Sequence, residues 1–231
     1  MKKIMFEHRR FGLEQAVIAR LKEMTRRKAN FPKGVNDKDV ESAVRGIDKK
    51  GRVFFTFRVS TPKGMETIDV YPKYQIGDEV AVAQAYRDIR DIIGDIQDGK
   101  SIKFMAGWNN KMFVKAEYMP RRIRITDIKA ERLQDISDED CMKEGIIPIT
   151  WRQWHKQDID DFSPQRYTDH HLWTLPLFRE GIEDPWADEE PEQFAAESAN
   201  VAFAVLIMKL HGKKAWQRNE WQFAYTFKLI K

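Results

Sequence analysis

Cysteine is nearly absent from this chain, and it has no apolar run long enough to cross a membrane. Cys141 is the only cysteine in 231 residues, which excludes an internal disulfide and a cysteine-rich zinc site. It lies in the acidic stretch DEDCMKEG, whereas a reactive thiol needs a nearby cation or histidine, so we expect a buried structural cysteine. The longest unbroken apolar run, Val201–Met208, is far shorter than the about 20 residues that a membrane span needs, and it predicts no membrane partner.

The common nucleotide-binding loops are also missing. Neither GxGxxG nor GxxxxGK[ST] occurs, so a dinucleotide-binding fingerprint and a P-loop are both excluded. The N-terminus starts like a signal peptide, but the charged residues Glu7, Arg9 and Arg10 interrupt it before an apolar region can form. We therefore expect a cytoplasmic protein.

The charge of the chain is mild in total and uneven in distribution. The formal net charge is +4 and the pI is about 9.0, which does not by itself indicate a nucleic-acid partner. Basic residues are dense in 1–33 and 111–132, and acidic residues are concentrated in Glu183–Glu192. A basic body with a separate acidic loop favours an anionic ligand.

Apolar periodicity and turn residues predict an α+β fold with a mostly antiparallel, barrel-like sheet. The first helix is expected over about 12–24, and a later one begins at the N-cap Ser137 and ends at Gly145. Further helices are predicted at Tyr86–Ile96 and about 192–210, and strands at Arg52–Ser60, Glu66–Tyr71, Glu79–Ala83, Met112–Glu117, Arg122–Glu131 and Trp221–Leu229.

A tryptophan-rich excursion is predicted at 148–190. It contains Trp151, Trp154, Trp173 and Trp186. These side chains could pack against the main body, or they could bind a protein partner, since tryptophan is enriched at binding hot spots. Asp169-His170-His171 invites a metal site, but adjacent histidines on a strand point to opposite faces and no further ligand spacing completes a site. The sequence therefore predicts no metal and no cofactor.

Three separated stretches resemble one family. They are VIARLKEMTRRK, IGDEVAVAQAY and MPRRIRITDIKAERLQDISDEDCMKEGI, and the closing segment AFAVLIMKLHGKKAWQRNEWQFAYTFKLI supports them. Together they are similar to an ASCH domain of the PUA-like superfamily, in its bacterial and phage form. The resemblance implies a single domain over 1–231, with elaborations at about 36–70, 87–108 and 148–190.

The resemblance also implies a site. The family fold is a small β-barrel with a helix across one opening, and its acetylcytidine-hydrolysing members use a lysine, a threonine and a glutamate. The matching positions here are Lys22, Thr25 and Glu144, and an arginine that follows the threonine matches Arg27. Many phage-type members carry a tryptophan and an Arg-Glu pair where this chain has Ala81 and Ala83-Gln84. One pocket wall therefore differs from the family pattern.

The chemistry of this site depends on Lys22. By resemblance Thr25 would attack an amide, Lys22 would take its proton and Glu144 would shuttle protons. A lysine that acts as a base near pH 7 needs a pKa about 3 units below its usual ~10.4, and only burial supplies such a shift. A carboxylate within ~4 Å would instead hold the amine charged. Three interpretations stay open: amide hydrolysis, ligand binding without turnover, and a structural ion pair.

A second set of basic residues could contact RNA phosphates. It consists of Arg26, Arg27 and Lys28, together with Arg121, Arg122 and Arg124 on a predicted strand. A solvated strand face explains the same pattern equally well. The favoured hypothesis is a pocket lined by Lys22, Thr25, Arg27 and Glu144 that binds a nucleotide, a modified nucleoside or RNA, with hydrolysis of an acylated nucleoside still open. The alternative is a non-enzymatic, phage-derived adaptor that binds a protein through 148–190.

Overall fold

The protein is a mixed α+β structure that is rich in sheet and has few helices. The computed structural model describes residues 1–8, 10–150, 171–174 and 196–230. Within these ranges the strands form open sheets, and no closed barrel is present among them. The α+β prediction is confirmed at this level, and the strand pairs are antiparallel except one.

The main sheet has five strands in the order β1-β6-β9-β12-β2. They are β1 (Lys2–Ile4), β2 (Met24–Lys28), β6 (Glu79–Val82), β9 (Arg122–Arg132) and β12 (Trp221–Leu229). β1 lies parallel to β6, while β9 and β2 flank β12 in antiparallel pairs. The two N-terminal strands, β1 and β2, therefore form the two edges of the sheet, and the C-terminal strand β12 lies inside it.

A second sheet packs on the first. It consists of β3 (Val40–Ile47), β4 (Val53–Thr61) and β5 (Gly64–Val70). Phe55 and Phe57 of β4 contact Phe223 and Trp221 of β12, with ring centroids 5.5 Å apart for Phe55–Phe223 and 5.3 Å for Phe57–Trp221. All four rings are nearly removed from water, and they form the centre of the larger hydrophobic core. The predicted hairpin at 52–71 is confirmed, and β3 is a strand that the sequence pattern did not predict.

The helices are short. They are α1 (Leu13–Ile18), α2 (Arg90–Ile93), α3 (Asp138–Lys143), α4 (Ala199–His211) and α5 (Lys214–Arg218). Ser137 caps α3 as predicted, because its hydroxyl accepts a hydrogen bond from the Asp140 backbone N–H at 3.2 Å. The helix predicted up to residue 210 begins later than expected, at the N-cap Ser198.

The stretch 87–108, which was predicted to be an elaboration, folds around a small core of its own. Buried Tyr86, Ile89 and Ile102 pack there with apolar residues from β6 and from 114–119. The helix predicted over Tyr86–Ile96 is reduced to the single turn α2, followed by the two-residue strands β7 (Ile96–Gln97) and β8 (Lys100–Ser101). The strand predicted at Met112–Glu117 is wrong, since this stretch forms two 3-10 turns instead. The last strand pair is β10 (Ile147–Thr150) with β11 (His171–Thr174).

Candidate functional site

Lys22 lies in the loop between α1 and β2, and Thr25 lies on β2. The prediction of one helix over 12–24 is therefore wrong, because α1 ends at Ile18. Thr25 pairs directly with Tyr225 of β12. The pairing partner of this stretch is about two hundred positions away in the chain, so the local pattern of the sequence could not reveal the strand.

The end of α1 is formed by two backbone hydrogen bonds. The Arg20 N–H donates to the Val17 carbonyl at 3.1 Å, and the Leu21 N–H donates to the Ala16 carbonyl at 2.8 Å. This pattern is a Schellman motif, in which one residue adopts a left-handed conformation. Here that residue is Arg20, with φ 59°. The motif turns the chain away from the helix and directs Lys22 toward α3.

Lys22 and Glu144 meet. Lys22 Nζ donates a hydrogen bond to the Glu144 carbonyl at 2.8 Å and another to Glu144 Oε2. The side chains are only 3% and 5% exposed. Glu144 is the C-cap of α3, and the Glu23 N–H donates to the Lys143 carbonyl at 2.8 Å, which ties the Lys22 loop to the end of that helix.

Burial and charge act in opposite directions on Lys22. Burial lowers the pKa of Lys22, Glu144 raises it, and Arg27 and Arg26 lower it; the net direction is downward. Lys22 is therefore removed from water, which a general base needs. It also has a carboxylate partner, which favours the charged amine.

Arg26 occupies the centre of a buried ionic network. Its Nη1 donates to Glu144 Oε1 at 2.8 Å, and its Nη2 donates to Glu131 and reaches Asp140 Oδ2 at 3.5 Å. Lys129 completes the network through Glu131, at 2.8 Å, and Asp140. We call these residues the Arg26 cluster: Lys22, Arg26, Lys129, Glu131, Asp140 and Glu144.

The Arg26 guanidinium lies inside this cluster, and its Nε has no hydrogen-bond partner among the described residues. Its side chain is 3% exposed, and its plane also lies over the Phe203 ring of α4 at 5.5 Å. Burial acts to lower the pKa of Arg26, but Glu144 and Glu131 together raise it above the ordinary value. Arg26 was predicted to contact RNA phosphates, and the structure places it inside the protein instead, because three carboxylates surround it.

Thr25 and Arg26 lie on opposite faces of β2. Adjacent strand residues point to opposite faces, so Thr25 shares the Tyr225 face while Arg26 faces α3 and α4. Thr25 is buried, at 3% exposure. Its hydroxyl makes no hydrogen bond to another residue within the described ranges. The Lys22–Thr25–Glu144 trio is thus only partly assembled: the amine and the acid are bonded, and the hydroxyl is not joined to either.

Arg27 lies on the same face as Thr25 and is held by the N-terminal segment. Its Nη2 donates to the Met5 carbonyl at 2.7 Å, and its guanidinium lies 5.8 Å from the centre of the Phe6 ring. Burial lowers the pKa of Arg27, against the opposing effect of Glu144 and two tyrosines. Arg27 is half-buried, and these contacts hold its guanidinium against the N-terminal segment.

A groove of about 260 Å³ opens beside Lys22. It is lined by Val17, Arg20, Lys22, Glu23, Lys228 and Leu229. The predicted pocket was different, since Thr25, Arg27 and Glu144 are absent from this lining. Arg20 and Lys228 are exposed and form no ion pair with any residue in the described part of the chain. The sequence signal for them was weak, because exposed basic residues are common on protein surfaces.

The remaining predicted RNA contacts lie near this groove or beyond it. Lys28 is exposed and pairs with Glu220 at 2.7 Å. Arg124 pairs with Glu79 at 2.7 Å and stands opposite Lys228 across the β9–β12 pair. Arg122 lies two positions along the same face, and its buried Nε has no hydrogen-bond partner in the described residues. Arg121 is half-buried just before β9.

A second polar cluster lies at the start of α1, and sequence reasoning missed it. Glu14 is 2% exposed and accepts hydrogen bonds from Lys111 Nζ at 2.9 Å and from Gln84 Nε2 at 3.1 Å. His8 Nδ1 lies 3.5 Å from Glu14 Oε1 and 2.6 Å from Gln15 Nε2. We call these five residues the Glu14 cluster. A glutamate on the apolar face of an amphipathic helix was the signal that could have revealed it.

Several predictions concern residues outside the described ranges. They are Trp151, Trp154, Trp186, Asp169, His170 and the acidic run Glu183–Glu192. Trp173 is described: it is half-buried, packs against the main core and pairs with Ala196 through backbone bonds of 2.8 and 3.0 Å. Cys141 is fully buried as predicted, and burial raises its pKa to about 12.

Comparison with known proteins gives no relative. No family model matches the chain, and neither a curated protein nor a solved structure matches it. In the described residues no helix is long and apolar enough to cross a membrane. Across the same residues, no three histidine, cysteine, aspartate or glutamate side chains are grouped so that they could hold a metal ion.

Proposed function

We propose that this chain is an ASCH-type, PUA-like protein that binds a nucleotide, a modified nucleoside or RNA in the groove beside Lys22. The observation that carries the proposal is the buried Lys22–Glu144 pair at the wall of the groove, with two further cations in the lining. A concave site with a few fixed polar groups is the usual form of a small-molecule site. Its positive character suits a phosphate-bearing or otherwise anionic ligand.

Binding is favoured over hydrolysis by the geometry around Thr25. A serine or threonine nucleophile needs a base within hydrogen-bond reach, and no such bond links Thr25 to Lys22 within the described structure. Both hydrogen bonds that Lys22 donates go to Glu144. Lys22 is therefore positioned as a fixed polar group of the groove wall, whereas Thr25 is absent from the lining of the groove.

Hydrolysis of an acylated nucleoside is the second candidate, and one observation favours it. Burial lowers the pKa of Lys22, which is the direction that a lysine base requires. Turnover would further require Thr25 to approach the amine when substrate binds. The two candidates therefore differ in one residue: hydrolysis depends on the Thr25 hydroxyl, and binding does not.

The experiment separates these two functions on the same sample. The wild-type protein is incubated with acetylcytidine, acetate release is followed, and equilibrium binding of acetylcytidine and cytidine is measured in parallel. We expect both nucleosides to bind and no acetate to form beyond the buffer control. Thr25→Val, which keeps the branched shape and removes the hydroxyl, should bind as the wild type does.

Two results would contradict the binding proposal. Steady acetate release that Thr25→Val abolishes would make the protein a hydrolase. A lack of binding for every nucleoside, nucleotide and short RNA tested would remove the groove as a ligand site. A protein partner captured in a manner that depends on Trp173 and ignores Lys22 would then favour the adaptor alternative.

For an RNA ligand, the proposed site continues from the groove along the basic residues of β9. Lys228 in the groove stands opposite Arg124, and Arg122 follows on the same face. Phosphate contacts weaken as salt rises because bound counterions are released. We expect the affinity for a short single-stranded RNA to fall with salt and with Arg122→Ala. The same measurement on Lys49→Ala, in the turn between β3 and β4, is the control.

A further inference from the structure

The residue that ends α1 combines an unfavourable backbone with an unpaired charge. Arg20 has φ 59°, a left-handed conformation that side chains other than glycine adopt at a cost in energy. Its place in the Schellman motif is the one that glycine usually occupies. The backbone therefore gains nothing from an arginine there, and the guanidinium is the feature left to explain.

The guanidinium of Arg20 has a defined place in the structure. Arg20 lines the groove together with Lys228, which comes from the last residues of β12. Neither side chain forms an ion pair with a residue of the described ranges, although most other cations near the site do. A cation suits the last turn of a helix, but a basic residue at an ordinary backbone position of α1 would provide that charge without the left-handed conformation.

The charges of the groove favour an anion at its open side. The charge of Lys22 is balanced by Glu144. Arg20 and Lys228 remain, opposed only by the exposed carboxylate of Glu23 within the lining. An arginine fork binds two phosphate oxygens at once, and a lysine adds a point charge.

We infer that Arg20 and Lys228 form a phosphate subsite, so that the ligand is held by a terminal phosphate rather than by a base alone. This inference rests on the proposed function and specifies the ligand as a phosphorylated nucleoside or a phosphorylated RNA end. Glu23 weakens the subsite, and its removal strengthens phosphate binding.

The test compares cytidine 5′-monophosphate with cytidine by calorimetric titration. The variants are Arg20→Gly, Lys228→Gln and Glu23→Gln, and Lys49→Gln is the control for a lost surface charge. Arg20→Gly should weaken the monophosphate about tenfold, the effect of one charge-assisted contact, and leave cytidine unchanged. Glycine adopts the left-handed conformation at position 20 without strain, so the Tm of Arg20→Gly should equal that of the wild type or exceed it by up to about 3 °C. Glu23→Gln should tighten the monophosphate.

The outcomes separate this inference from the proposed function. If the monophosphate and cytidine bind equally and Arg20→Gly changes neither, the subsite is wrong while nucleoside binding stands. If neither ligand binds, the proposed function fails and the subsite fails with it. A fall in Tm for Arg20→Gly would also overturn the inference, since it would give the side chain a structural role.

Discussion

The two polar clusters at the two ends of α1 differ in how their charges are held. In the Arg26 cluster, Lys22 and Arg26 are each 3% exposed and Glu144 is 5% exposed, so none of the three can turn to water. In the Glu14 cluster Glu14 and Gln84 are buried, but the charged partners Lys111 and His8 are each 22% exposed. The Arg26 cluster therefore has a closed network at its centre, with Lys129 at its rim at 39% exposure, whereas the charged partners of Glu14 are all partly exposed.

Of the two clusters, only the Arg26 cluster has a closed centre that can define a binding site. A closed network fixes its members, because moving one leaves an unpaired charge inside the protein. Lys22 is fixed in this way at the wall of the groove, by α3 and by the end of α1. Lys111 and His8 can reorient toward solvent, so the Glu14 cluster joins the N-terminal segment to α1 without the same constraint.

The largest expected effect is that of Glu144→Gln. It leaves Lys22 and Arg26 inside the protein without their shared carboxylate, and breaking a buried pair in this way costs about 3–5 kcal/mol. The free energy of unfolding from urea denaturation measures the loss. Glu139→Gln, an exposed substitution on the same helix, is the control and should cost less than about 1 kcal/mol.

A smaller loss is expected for Glu14→Gln. Its charged partners can turn toward water, so the cost should be about 1–3 kcal/mol, near that of an unsatisfied buried group. The same urea experiment gives the value. If Glu14→Gln and Glu144→Gln lower the free energy of unfolding equally, the two clusters are closed to the same degree and the contrast drawn here is wrong.

The buried Lys22 of the Arg26 cluster should make the free energy of unfolding depend on pH in the alkaline range. Its lowered pKa means that the unfolded chain binds more protons at this residue between the folded pKa and about 10.4. The free energy of unfolding therefore rises with pH across that interval, relative to Lys22→Met, which has no group to titrate. Urea denaturation of both proteins at several alkaline pH values gives the difference. A difference that is flat or falls with pH would contradict the lowered pKa of Lys22 and would mean that Glu144 outweighs the effect of burial.

The smallest effect is expected for Thr25→Val. The hydroxyl has no hydrogen-bond partner in the described structure, and valine keeps the β-branched shape that a strand favours. We expect a change within about 1 kcal/mol in either direction. A loss of several kcal/mol would mean that the hydroxyl is bonded in the folded protein, and that Thr25 belongs with Lys22 and Glu144 after all.

Sequence reasoning predicted the parts of this fold that depend on local pattern. The hairpin at 52–71, β9, the Ser137 cap and β12 follow from alternation and turn residues, and the structure confirms them. The strand β2 could not be predicted, because Met24–Lys28 reads as the basic end of a helix until β12 pairs with it. Tertiary pairing here overrides local propensity.

Only part of the candidate site could be predicted from the sequence. The approach of Lys22 to Glu144 was expected from the resemblance, and the two are in contact. The burial of Arg26 was not expected, because its three carboxylate partners come from β9 and α3. Arg20 was counted as part of a longer helix, and only the left-handed turn after α1 reveals its position in the groove.

One calorimetric titration tests the central claim that the groove beside the Lys22–Glu144 pair binds a nucleotide. Cytidine 5′-monophosphate is titrated into the wild-type protein and into Lys22→Met, at a temperature where both are folded. We expect saturable binding to the wild type and at least about tenfold weaker binding to the variant. Equal binding by both proteins, or no binding by the wild type, would contradict it.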